Sequence, residues 1–155
     1  MTALQLPPRP SGYKTIAVLG VAWNSVCLMI LLPIAIYGSI TNPEKIPILK
    51  LLDLFSYTII VPLAVALLFG SIGLLQNKIW ARTVCLAGLT IDILFGASTD
   101  AIRAIVSVMN WGNDTALTLA VLPISILAYA LEGAILLYIK QKRVKFYIMG
   151  NLNAK

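Results

Sequence analysis

Histidine is absent from this 155-residue chain, which removes the commonest general base, the commonest metal ligand and the usual pH switch together. Charge is scarce: 12% of the residues are Asp, Glu, Lys or Arg, against roughly 25% in an ordinary soluble domain. There are two cysteines, Cys27 and Cys85, far apart and in no Cys-x-x-Cys spacing. Zinc sites, thioredoxin-like chemistry and a disulfide scaffold are therefore unsupported. Polar chain is short as well. Outside four long apolar stretches only tails and brief connections remain, too little for a second domain.

What the chain has is apolar mass, 59% of its residues, gathered at 15–40, 51–75, 83–109 and 116–139. No polar surface remains to cover that mass in water. Each stretch exceeds the roughly 20 residues that cross a hydrocarbon core of about 30 Å as a helix. The stretches are too long for strands and lack two-residue alternation. The first outruns the apolar part of a signal peptide. The fold expected is all-α: an antiparallel four-helix transmembrane bundle with both termini cytoplasmic, a single membrane domain over residues 1–155.

Punctuation agrees. A polar turn with Pro43 and Pro47 divides the first two stretches, Gln76-Asn77-Lys78 the next two, and Asn110 to Asp114 the last two. Such short connections make sequence neighbours pack side by side. Asp114 is placed to cap the last helix, a more natural role than Asn113-Asp114-Thr115 serving as a glycosylation sequon. Pro33, Pro62 and Pro123 fall inside stretches, where each frees a carbonyl and should bend its helix.

The net charge of +6 would suggest nucleic acid in a soluble protein, but here its placement reads as topology. Arg9, Lys14, Lys78, Arg82, Lys140, Lys142, Arg143, Lys145 and Lys155 fall on one side with no acidic residue among them. The other side has Lys45 and Lys50, offset by Glu44 and Asp53, together with Asp114. The excess of Lys and Arg places the first side, and both termini, in the cytoplasm.

Four ionisable residues lie deeper within stretches: Asp92, Asp100, Arg103 and Glu132. Arg103 is about 31 Å along the helix from Arg82, which brings it to the far headgroup zone. Asp100 lies one turn before it, so the two should form an interfacial ion pair that fixes the helix end. Asp92 is about 15 Å in, at the bilayer midplane, and Glu132 about 12 Å in from Lys140 on the neighbouring helix. Asn24 lies near that depth on the first helix, and Tyr129 shares a face with Glu132. Asn24, Asp92, Glu132 and Tyr129 are thus read as one polar intramembrane layer. Gly88 and Gly96 recur on the same side as Asp92, Gly20 lies one turn from Asn24, and Gly70 opens a small-residue face on the second helix. Such residues let helix backbones approach closely, so these four glycines are read as packing positions.

Three readings of the layer stand side by side. It is a proton or cation site in which two carboxyls share one proton. It is a set of hydrogen bonds that holds the helices in register. Or one acid faces outward and pairs with a base on a partner helix. Against transport, no Lys or Arg occurs at the same depth and no internal repeat is visible.

At the ends, Trp80 and Trp111 suit interfacial anchoring. The run from Lys140 through Lys142, Arg143 and Lys145 to Tyr147 mixes charge with aromatics and reads as a contact with anionic lipid or a partner.

Gly73-Leu74-Leu75-Gln76-Asn77-Lys78-Ile79-Trp80-Ala81-Arg82 resembles a hairpin of small four-helix bacterial integral membrane proteins of uncharacterised function. In these an apolar helix ends in Gly-Leu-Leu, a basic turn follows, and Trp-Ala-Arg opens the next helix. The exit of the last helix, Leu137 to Lys145, is similar to theirs, although it lacks the proline often found before the basic residues. The resemblance covers about twenty positions, implies a bacterial source and carries no activity.

The functional expectation is a non-enzymatic multi-pass protein of the inner membrane, an accessory or structural subunit of a larger complex. The alternative is a small oligomeric proton- or cation-coupled carrier or channel built on the intramembrane carboxylates. Its expected partners are membrane lipids and other membrane subunits or copies of itself, with no nucleic acid. No metal site is expected, and no cofactor is named by the residues.

Overall fold

A computed structural model of the chain describes residues 9–41, 47–110 and 113–150. Among them every regular element is helical: α1 (Tyr13–Thr41), α2 (Pro47–Leu75), α3 (Ile79–Asn110), α4 (Asn113–Lys140) and α5 (Lys142–Gly150). Four helices are long and apolar enough to cross a membrane. Apolar stretch length alone accounts for that, since a helix satisfies its backbone polar groups internally where no water is available. The turn with Pro43, the loop tryptophan Trp111, and the Asp114 cap with its sequon lie outside the residues whose structure or side chains are described.

Local chemistry sets the helix ends. Gly12 opens α1 at a left-handed φ of 80°, a conformation that costs glycine little. At the end of α2, Asn77 takes φ 56°. The Asn77 N–H donates to the Leu74 carbonyl at 3.0 Å and the Lys78 N–H to the Gly73 carbonyl at 2.8 Å. This is a Schellman cap with asparagine in place of glycine. Arg82, in the first turn of α3, donates to the carbonyls of Ile139 and Lys140 at 3.1 and 3.2 Å. A cation thereby closes the negative end of α4.

The three internal prolines behave differently. α2 and α4 run through Pro62 and Pro123 without interruption. α1 instead widens into a π-turn at Cys27–Leu31, directly before Pro33. Proline has no N–H and its ring crowds the carbonyl one turn back, which an extra residue in the turn relieves. That residue also advances the phase of the rest of α1 by about 100°.

α2 packs against both α1 and α3, and α3 against α4. The core is densest at the end where α1 begins. There Tyr13 and Ala17 meet Leu74, Ala81 and Ile139, closed over by Val144 and Ile148 of α5. The tail read as lying on lipid is therefore a helix whose apolar edge belongs to the protein interior. Gln141 alone separates it from α4, and the Gln141 carbonyl accepts the first α5 amides, from Val144 and Lys145. The Tyr13 hydroxyl donates to the Leu74 carbonyl at 2.8 Å, and Tyr138 donates to the Ser11 carbonyl. We call this the basic end.

Candidate functional site

At the opposite end a hydrogen-bonded network joins all four long helices. Its centre is Arg103 of α3. Nε and Nη2 of Arg103 lie 3.1 and 3.0 Å from Oδ1 of Asp53 in α2, and Nη1 lies 3.0 Å from Oδ1 of Asp100. The second oxygen of Asp53 accepts from the Ser39 hydroxyl of α1 at 2.7 Å. The second oxygen of Asp100 accepts from the Tyr129 hydroxyl of α4 at 2.8 Å. Ser39 has one proton and gives it to Asp53, so the Tyr57 hydroxyl at 3.0 Å donates to Ser39. Every oxygen of both carboxylates accepts a hydrogen bond, and all three guanidinium nitrogens donate.

Asp53, counted from the sequence only as offsetting Lys45 and Lys50, is 4% exposed and paired with Arg103. Asp53 falls inside the expected 51–75 stretch, and it is rotation about α2 that turns it toward Arg103 of α3. The Asp100–Arg103 pair is present, but as one half of a clamp that reaches α2. Sequence reasoning missed Asp53, Ser39 and Tyr57 as partners. The available signal was depth: Asp53 and Arg103 lie at the same end of adjacent helices.

Nearer mid-bundle, Asp92 of α3 and Glu132 of α4 lie within electrostatic reach of each other and of the Cys27 thiol in α1. Oε2 of Glu132 is buried and has no hydrogen-bond partner among the described residues. The other two members of the expected layer spend their hydrogen bonds on other groups, although Tyr129 lies within electrostatic reach of both Asp92 and Glu132. Asn24 donates to the Gly20 carbonyl of its own helix at 2.8 Å. Tyr129 reaches along α4 to Asp100. Asn24 follows the local back-bonding habit of short polar side chains, and Tyr129 finds the more strongly accepting charged partner.

The four glycines stand at close approaches. A Cβ on Gly20 would meet Ser71 Oγ at 2.5 Å, and one on Gly70 would meet Cys85 Sγ at 2.8 Å. On Gly88 it would meet Leu67 at 2.6 Å, and on Gly96 the Tyr129 hydroxyl at 2.7 Å. Gly96 thus makes the space in which Tyr129 reaches Asp100. Among the described residues no group of three or more Cys, Asp or Glu is placed to hold a metal ion. At the basic end Lys140, Lys142, Arg143 and Lys145 are all exposed. Trp80 is half exposed at the start of α3.

Comparison with protein-family models, curated proteins and solved structures finds no match to this chain.

Proposed function

We propose that the chain is a non-enzymatic, antiparallel four-helix protein of the bacterial inner membrane, with both termini cytoplasmic. In this reading it serves as an accessory or structural subunit of a larger membrane complex. One observation carries the reading: the best-ordered polar chemistry, the Asp53–Arg103–Asp100 clamp with Ser39 and Tyr129, is spent on the protein's own helices. The perimeter is left apolar, with large side chains such as Met29, Ile34, Leu127 and Leu131 facing outward. A rigid bundle with an apolar perimeter is suited to being packed against. The test is purification in mild detergent with mass spectrometry of the intact assembly. A heteromer of fixed stoichiometry is expected; a lone monomer or a homo-oligomer overturns the reading.

A proton- or cation-coupled carrier or channel is the second reading. The unpartnered buried oxygen of Glu132 beside Asp92 favours it. Asp92→Asn and Glu132→Gln would then abolish coupled flux in proteoliposomes while leaving the protein folded. Unchanged flux, or none in the parent protein, removes this reading.

A further inference from the structure

The geometry of α5 points to a binding surface for anionic phospholipid headgroups, formed by Arg143 and Lys145 together with Lys14 and Lys78. Rotation about the helix carries the argument. Val144, Tyr147 and Ile148 are buried and define one edge of α5. At about 100° per residue, Arg143 and Lys145 project to either side of that edge, while Lys142 points away from the bundle. The apolar edge is pinned to the bundle, since Val144 and Ile148 are 0% and 1% exposed.

The N-terminal segment adds a clasp. Arg9 Nε donates to the Tyr147 hydroxyl at 2.9 Å, its guanidinium lies 5.7 Å from the Tyr147 ring centre, and Tyr13 meets the same ring edge-on. α5 is therefore held across the end of the bundle, with two cations directed sideways, toward the surrounding leaflet.

Charge complementarity names the occupant. Among the described residues the acidic side chains are Asp53, Asp92, Asp100 and Glu132, and none of them stands at this end to neutralise the cations. Arg82 is already committed to the α4 carbonyls and Arg9 to Tyr147, whereas Lys14, Lys78, Arg143 and Lys145 are exposed. Half-exposed Ile79 and Trp80 mark the apolar boundary beside them. Cations set directly above an apolar perimeter stand where lipid phosphates stand, and each contributes up to about fivefold in preference for an anionic surface.

The test uses the full chain in bilayers, with Trp23→Phe and Trp111→Phe leaving Trp80 as the reporter. Brominated phosphatidylglycerol and brominated phosphatidylcholine are compared as quenchers at equal mole fraction. Phosphatidylglycerol should quench Trp80 several-fold more effectively. Arg143→Gln with Lys145→Gln should bring the ratio close to one, whereas Lys142→Gln should leave most of it. Circular dichroism confirms that each variant is folded. Salt at 1 M, where screening acts within about 3 Å, should erase the preference of the parent protein without any substitution. Equal quenching by the two lipids in the parent overturns the proposal, and so does a preference that survives the double substitution or the salt.

Discussion

The bundle contains two groups of intramembrane acids built from the same residue types, and they are resolved differently. At one end Asp53 and Asp100 flank Arg103, and each carboxylate oxygen accepts a hydrogen bond. In mid-bundle Asp92 and Glu132 lie within electrostatic reach of each other, and one Glu132 oxygen is buried with no hydrogen-bond partner among the described residues. A buried acid is tolerable where a base of matching geometry lies at its own depth, and the planar fork of arginine suits two carboxylates at once. Arg103 supplies that at one level only. The first group is therefore closed by its own hydrogen bonds, whereas the second leaves one buried acceptor open.

The largest expected effect comes from removing the base. Arg103→Gln leaves Asp53 buried without its counter-charge, which typically costs about 3–5 kcal/mol. Unfolding in detergent, followed by circular dichroism, measures it. Adding Asp53→Asn to that variant should restore part of the loss, because the two residues are coupled. A loss below about 1 kcal/mol would mean that the clamp contributes little.

Overpacking comes next. Gly88→Leu and Gly96→Leu should each cost about 1–3 kcal/mol. Gly96 should lie toward the upper part of that range, since a side chain there displaces Tyr129 and takes its hydrogen bond as well. Gly38→Leu and Gly133→Leu enter open space and should leave the melting temperature unchanged. Equal melting temperatures for all four variants would put the helix contacts elsewhere.

Tyr129→Phe removes one hydrogen bond to Asp100 and should cost about 0.6–1.7 kcal/mol, the span measured for hydrogen bonds between membrane helices. The smallest effect belongs to the other group. Glu132→Gln should change stability far less than Arg103→Gln does, because the oxygen it alters has no hydrogen bond to lose. If Glu132→Gln destabilises the protein as much as Arg103→Gln, the two groups are not different in kind.

Much of this was legible in the residues, and the misses share a cause. The spans, the Gln76-Asn77-Lys78 turn and the Asp100–Arg103 pair follow from local pattern. Asp53 falls inside the expected 51–75 stretch, yet position along the helix sets it only in the charge balance with Lys45 and Lys50, whereas rotation about the axis gives it Arg103. Depth groups Asn24 and Tyr129 with Asp92 and Glu132, and Tyr129 does lie within electrostatic reach of both acids, but its hydrogen bond goes to Asp100 and that of Asn24 to its own helix. The basic tail was read as a lipid contact along its length, whereas its apolar residues close the bundle and its cations flank that contact.

Sequence alone determined that the chain is helical, how many helices can cross a membrane and how far along its helix each polar residue sits. Hydropathy and a constant rise of about 1.5 Å per residue are enough for that. Only the tertiary structure decided which polar groups meet. Partner choice depends on rotation about each helix axis, and rotation is set by contacts between helices far apart in the chain. The π-turn at Cys27–Leu31 makes the point: its extra residue turns the second half of α1 by about 100° and brings Ser39 onto Asp53. Along a regular helix the face of Gly20 would carry Gly38 at that level instead of Ser39.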